Sequence, residues 1–467
     1  MAGNFVVLGA GPSGLACAWK LSGEGRSVTV LEKREGVGGV SSCFRHGDFK
    51  LDYGPHKIYT QNAPVLDETR RLLSGELLTI PKKSRIRLKG KYFNFPVSIA
   101  ELLFKLSPVT MAKCGADYAL ANAAGMVSGP SEKSYEDYLV SRFGRGLYEL
   151  VFGPYARKVW GNPKFLAASL AKSRVSVPNL FEMFSRAVLG DRGKPEISAK
   201  EFYYPKHGVC RLSERMNEEF GKNGGKMLLE SAPEKILVRG NRVASVSFGK
   251  KSLEVGDGSL VSTIPILALL ELIDPKPPES VLAAARGLKH RDLVLAYVVF
   301  EKNRLFDDNW LFFPEEEFVF NRIFEQKSFS PEMVPEGKTV LCAEITCPPK
   351  AGFWNAPDDE LEKRVLSDLE KAGIAKASEA TEFFTKRVEN GYPVYDVDYQ
   401  KNLATVLSYL NGIDNIYSIG RQGLFMYVGM MDCHDTGFAT AEHIKAARPR
   451  QAWGAALERF QNYQTLD

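Results

Sequence analysis

Three glycines at GxGxxG spacing, Gly9, Gly11 and Gly14, lie between two short apolar runs, and no other stretch of the 467-residue chain constrains its fold as much. Phe5-Val6-Val7-Leu8 reads as a buried parallel strand. An apolar helical pattern follows (Leu15, Ala18, Trp19), then a second strand over 27–31 that runs into Glu32, 18 residues past Gly14. Each part has a physical role. Gly9 lets the chain turn tightly off the strand, Gly11 leaves room for a pyrophosphate against the backbone, and Gly14 lets the helix pack closely. The helix start, with Pro12 and Ser13 in its first turn, offers free N–H groups and partial positive charge to a phosphate. Glu32 can accept a hydrogen bond from a ribose hydroxyl. The alternative is a glycine-rich turn in some other α/β fold. Strand, helix, second strand and acid together predict a Rossmann-like dinucleotide site.

Glu32-Lys33-Arg34 leads directly into a second glycine-rich loop, Gly36-Val37-Gly38-Gly39-Val40-Ser41-Ser42. Such a loop just after the ribose acid is uncommon in nicotinamide dehydrogenases. It resembles the extended FAD fingerprint of the flavin amine oxidase superfamily, where this loop lies along the flavin. The resemblance implies FAD rather than NAD, with Lys33, Gly38, Gly39, Val40 and Ser41 beside it.

A chain of this length is too long for one ordinary core, so two or three domains are expected. A net charge of +5 with dispersed Lys and Arg gives no case for nucleic acid. No apolar run approaches the roughly 18–20 residues that span a bilayer, and no signal peptide precedes Phe5. The seven cysteines (Cys17, Cys43, Cys114, Cys210, Cys342, Cys347, Cys433) are scattered with no C-x-x-C pair. They read as free thiols in a reducing cytoplasm, and no metal set is expected.

Further along, Tyr53-Gly54-Pro55-His56-Lys57-Ile58-Tyr59-Thr60 turns sharply at Gly54-Pro55. It resembles a segment of the UDP-galactopyranose mutases, whose backbone and histidine lie near the isoalloxazine. The resemblance places Gly54, Pro55 and His56 there; the alternative for His56 is an ordinary core histidine. A second match is Leu147 through Gly161, which ends in Lys-x-Trp-Gly, with Arg174 fourteen residues beyond Trp160. By resemblance Tyr155 stacks on a nucleobase, Trp160 shapes the same pocket and Arg174 binds a diphosphate. The physics agrees, since aromatics give a flat base a π surface and a guanidinium fork matches phosphate oxygens. Taken singly, these residues read as helix-interface aromatics and a surface arginine.

The stretch 318–331 resembles the mutase segment with a second diphosphate-binding arginine, here Arg322, whose alternative is an exposed strand arginine. Tyr392 falls where mutases keep a phosphate-reaching tyrosine. The closing strand ends in Gly420-Arg421, followed by a loop with Phe425, Tyr427 and Met431 and then a helix. In the superfamily this is the last FAD contact. Two departures stand out. Mutases carry a tyrosine at the substrate where this chain has Phe425, and the loop over 429–432 has one extra residue. UDP-galactose itself is therefore not fixed as the substrate.

The expected fold is α/β, with a Rossmann-like FAD-binding domain, an inserted helical domain and a substrate-binding β-sheet domain. The segments are 1–94, 205–268 and 399–467 for FAD (the last with a polar, peripheral tail from Arg448), 95–204 for the helical insertion and 269–398 for the sheet. Local patterns predict a hairpin over 84–98, helices over 99–124 and 134–152, a loop at 193–195 and a strand over 318–324. The resemblance implies an enzyme that interconverts pyranose and furanose forms of a nucleotide sugar through a reduced-flavin N5 adduct, with Arg174, Arg322 and His56 at the reacting centre and a nicotinamide nucleotide as a candidate reductant. Two rivals share the FAD motifs: an oxidase or dehydrogenase like protoporphyrinogen oxidase or amine oxidase, and a flavin-binding protein without turnover.

Overall fold

The computed structural model describes residues 3–128, 131–174 and 200–463; the loop expected at 193–195 lies outside them. Five parallel strands form the nucleotide-binding sheet, in the order Ile416–Ser418, Leu260–Ser262, Asn4–Leu8, Ser27–Leu31, Lys226–Leu228. They come from three distant parts of the chain. Val6, Val7 and Leu8 are fully buried because both neighbouring strands and helices on the faces cover them, the usual fate of a central parallel strand. Helix Pro12–Ser22 crosses helix Met430–Lys445 closely. A Cβ on Gly437 would sit 2.4 Å from the Ser13 carbonyl oxygen and 2.7 Å from the Ala16 Cβ.

A seven-stranded mixed sheet stands beside it, in the order Ala380–Pro393, His290–Phe300, Thr339–Cys347, Arg322–Glu325, Trp310–Phe312, Ser84–Leu88, Lys91–Asn94. Strand His290–Phe300 is buried on both faces from Asp292 onward. On one side it packs with Leu361, Val365 and Leu369 of helix Asp358–Lys371. The predicted hairpin forms, with Lys89 (φ +51°) and Gly90 (φ +78°) at its tip, and two consecutive positive φ values suit the right-handed twist of the strands. It adds to the edge of this large sheet rather than to the nucleotide-binding sheet. The strand expected over 318–324 covers only Arg322–Glu325, because Phe318 and Phe320 instead turn into an aromatic cluster with Phe313.

The helical stretch over 99–124 is broken before Pro108 into Ile99–Lys105 and Pro108–Ser128. Ser134 caps helix Tyr135–Leu147, accepting the Asp137 N–H at 3.1 Å. The tail is not peripheral. Helix Trp453–Gln461 buries Trp453 and Phe460, and Trp453 meets Tyr417 edge-on at 5.0 Å. Two apolar anchors seven residues apart give it a buried stripe within an otherwise polar sequence.

Candidate active site

A single cavity of about 1920 Å³ runs from the glycine loops to the large sheet. The first loop forms its floor. A Cβ on Gly14 would fall 2.0 Å from the Gly9 carbonyl oxygen, and one on Gly9 (φ +96°) would meet Thr263 Oγ1 at 2.5 Å. Gly11 differs, because a Cβ there has nothing within 4 Å. Gly9 and Gly14 thus serve the protein's own packing, while Gly11 leaves a cradle that a side chain would fill. The helix behind it has no side-chain cap at Gly11 and carries Pro12 at its start, so its first N–H groups are left for a ligand anion.

Glu32 ties the two glycine loops together. Its Oε2 accepts the Ala10 N–H at 2.7 Å and its Oε1 the Arg34 N–H at 2.9 Å. Each carboxylate oxygen keeps a further lone pair for a ribose hydroxyl. The Gly38 N–H donates to the Ala10 carbonyl at 2.8 Å. Gly38 (φ +103°) and Gly39 (φ +58°) bring the second loop against Gly11. Lys33, Gly39, Val40 and Ser41 line the cavity, as do Gly54, Pro55, His56, Gly420, Arg421 and Met431. Gly14 and Gly38, also expected beside the cofactor, do not line it and serve the packing and turn of the two loops. These features fit a dinucleotide such as FAD: an open glycine, an uncapped helix start and an acid at the next strand end.

His56 Nδ1 donates to the Gly54 carbonyl at 3.0 Å. Burial, reinforced by Arg421 and Arg322, pushes its pKa down to about 4, so the ring is neutral with Nε2 left as an acceptor. His290, which no motif singles out, also lines the cavity, and burial beside Arg421 lowers its pKa to about 4.

The far end of the cavity is aromatic and cationic. Tyr155 meets Trp160 edge-on at 6.0 Å, Trp160 meets Tyr427 at 6.1 Å, and Tyr392 meets Tyr427 at 5.0 Å. The Arg174 Cζ lies 3.4 Å from the Tyr427 ring centroid and the Arg421 Cζ 5.1 Å from it. The buried Trp160 Nε1 has no acceptor among the described residues. The fold therefore gathers Tyr155, Trp160, Arg174, Arg322, Tyr392 and Tyr427 in one wall.

Arg322 is not the free phosphate fork the sequence suggests. It pairs through Nε and Nη2 with both oxygens of Glu344, a residue 2% exposed and directly opposite it on the neighbouring strand. Its Nη2 also reaches the Tyr392 hydroxyl at 3.4 Å. Glu344 had a signal in the sequence, because a lone acid in the apolar run Val340-Leu341-Cys342-Ala343-Glu344-Ile345 needs a partner when buried.

Phe425 does not line the cavity. It is fully buried against His290, Tyr395 and Tyr399, an apolar ring closing an aromatic cluster behind the wall. The free-thiol reading is corrected too. Cys43 and Cys210 form a disulfide with Cα atoms 5.4 Å apart, while the other five cysteines are free and buried. The pair is 167 residues apart in sequence, and only the packing of the 43–52 hairpin against the turn before helix Cys210–Lys222 brings it together. With that bond the thiol-based case for a reducing compartment falls away. Beside it, the buried Asp52 takes the Tyr204 hydroxyl at 2.5 Å, and burial raises its pKa to about 7.

The profile of the family described as flavin containing amine oxidoreductase matches residues 12–417. The chain is 23% identical over 465 residues to a UDP-galactopyranose mutase of Mycoplasma pneumoniae, covering 94% of this chain and 96% of that one. It is 28% identical over 177 residues to a probable UDP-galactopyranose mutase of Klebsiella pneumoniae, over 36% of this chain and 44% of the relative, so that match spans less than half the relative's length. The crystal structure of a reduced UDP-galactopyranose mutase superposes with a TM-score of 0.83 at 19% identity, covering 100% of this chain and 98% of that chain, a likeness of fold.

Proposed function

Because the chain belongs to the family of flavin containing amine oxidoreductases, we propose that it is an FAD enzyme that interconverts the pyranose and furanose forms of a nucleotide sugar. The observation that carries this reading is the wall of Arg174, Arg421, Tyr155 and Trp160, set in the same cavity as the glycine loops. Arg174 offers a guanidinium to a diphosphate, Arg421 adds positive charge behind it while its Nη1 and Nη2 hold the Val428 and Gly391 carbonyls, and the rings offer flat faces to a base. Full-length similarity to a mutase supports it.

FAD, when bound and reduced, would supply the nucleophile for the anomeric carbon. The protein's part is to position the sugar and to steady the charge that develops on the departing diphosphate. Arg174 takes that role first. Arg322, already neutralised by Glu344, positions the Tyr392 hydroxyl and offers the substrate only its remaining N–H groups. Neutral His56 presents Nε2 as a hydrogen-bond acceptor, and a substrate acceptor would satisfy the orphaned Trp160 N–H.

The test is anaerobic reduction of the purified flavoprotein with dithionite, addition of UDP-sugars and other nucleotide sugars, and NMR of the products. A furanose formed only with reduced flavin upholds the reading. A second reading has its own support: part of the cavity lining, including Phe95, Leu102, Phe143 and Val151, is apolar, as expected of an oxidase for an apolar amine or a porphyrinogen. Steady oxygen uptake on such a substrate, with no binding of nucleotide sugars, would move the chain to that class.

A further inference from the structure

Half of the exposed large apolar side chains among the described residues lie on two successive helices. Leu103, Phe104, Val109 and Leu120 are 58, 90, 80 and 70% exposed, and all four lie on the successive helices Ile99–Lys105 and Pro108–Ser128. Val109 and Leu120 are about three turns apart at about 3.6 residues per turn, so they share a stripe. Ala112, Lys113, Ala116 and Ala123 fall on the same side and are exposed as well, while Cys114 points the other way and is buried. Single exposed apolar side chains are ordinary, but a patch of them marks a binding surface.

Charge and continuity identify what covers it. Lys113 is the exposed charge on the stripe. Glu101 is engaged by Lys105 at 2.5 Å and by the Asn94 N–H at 3.0 Å, and Asp117 Oδ2 is buried. Exposed Lys89 and Lys91 flank the patch at the hairpin tip, with Lys91 Nζ donating to the Lys105 carbonyl at 2.7 Å. The acids beside the tip, Glu315, Glu316 and Glu317, are paired with Arg87, Arg157 and Lys371, and Asp117 is half-buried, so the exposed charges on this face left without an acid partner among the described residues are Lys89, Lys91 and Lys113. Leu102, one residue before exposed Leu103, is buried and lines the cavity, and exposed Pro96 lines it too, so the cavity lining reaches the surface beside these helices. A second copy of the chain would bring a second set of the same lysines into the interface. An anionic bilayer suits both the lysines and the apolar side chains. No helix among the described residues is long and apolar enough to cross a membrane, so the contact is superficial.

We propose that this face docks the protein on an anionic lipid bilayer, with Leu103, Phe104, Val109 and Leu120 in the headgroup boundary and the cavity-lining Pro96 beside it. Docking is independent of which reaction the flavin performs. The test is co-sedimentation of the flavoprotein with vesicles of phosphatidylcholine, with and without phosphatidylglycerol, alongside light scattering on a sizing column. The wild-type protein should pellet with the phosphatidylglycerol vesicles and much less with phosphatidylcholine alone. The Leu103→Ser/Phe104→Ser variant should lose binding by at least about tenfold while keeping its bound flavin. Lys113→Glu should weaken only the binding to anionic vesicles. Absence of wild-type binding to either vesicle overturns the proposal, as does a double variant that binds as wild type. So does a wild-type dimer that the double variant breaks without any vesicle binding.

Discussion

The Arg174 guanidinium lies over the Tyr427 ring, 3.4 Å from its centroid, and its Nη2 donates to the Tyr427 main-chain carbonyl at 2.5 Å. One residue thus fixes both the plane and the position of the cation. Such a stack contributes about 0.5–2 kcal/mol of orientation, and it holds the guanidinium ready for a ligand anion. Arg174→Ala should weaken nucleotide-sugar binding by about 1.5–3 kcal/mol, the range for hydrogen bonds to charged groups. Arg174→Lys should restore little of it, because an ammonium cannot stack or present a planar fork. Titration of each variant by flavin absorbance reads this directly, and affinity unchanged from wild type would remove Arg174 from the substrate site.

Glu344 and Arg322 form a buried pair across two strands, so breaking one partner strands the other. Glu344→Gln should cost about 3–5 kcal/mol of stability. Urea denaturation monitored by tryptophan fluorescence measures it. A loss below about 1 kcal/mol, the level of a surface ion pair, would mean that solvent reaches the pair.

The two glycines of the first loop should respond differently to a methyl group. In Gly14→Ala the new Cβ meets the Gly9 carbonyl at 2.0 Å, and the apoprotein should lose roughly 1–3 kcal/mol or more. In Gly11→Ala the Cβ meets nothing, and the backbone there is extended (φ −74°, ψ 177°), which alanine adopts freely. Its apoprotein should melt as wild type does while its flavin is lost on gel filtration. Retention of the flavin at wild-type affinity would contradict placement of the pyrophosphate at Gly11.

Asp52 gives stability an unusual pH dependence. Burial lifts its pKa from 3.8 to about 7, so between those values the native state holds a proton that the unfolded chain has released. Its contribution is therefore fully present below pH 3.8 and lost as pH rises towards 7, at up to about 1.4 kcal/mol per pH unit. Asp52→Asn lacks this dependence. The stability of wild type relative to Asp52→Asn should fall steadily from pH 4 to pH 7 in parallel urea titrations. A constant difference would place an ionised Asp52 in the native protein.

The glycine-loop end of the cavity was legible in the chain because its requirements are local. Gly9 needs a positive φ, Gly14 needs the space of a hydrogen atom, and the acid must follow the second strand; all three are conditions on consecutive residues. The hairpin tip at Lys89-Gly90 and the Ser134 cap were legible for the same reason. The aromatic and cationic end was legible only in part: Arg174, Tyr155 and Trp160 do reach the cavity, but nothing beside Arg322 in sequence announces Glu344.

What the sequence determined by itself was thus the nucleotide-binding βαβ unit, the second glycine loop and the alternation of strands that becomes the large sheet. Tertiary structure alone decided that Glu344 neutralises Arg322, that Phe425 packs behind the wall, that Cys43 finds Cys210 and that Trp453 anchors the tail. These relationships depend on cross-strand register and on packing between segments tens to hundreds of residues apart. Backbone sterics and periodicity are properties of neighbours along the chain, whereas charge pairing and burial are properties of neighbours in space.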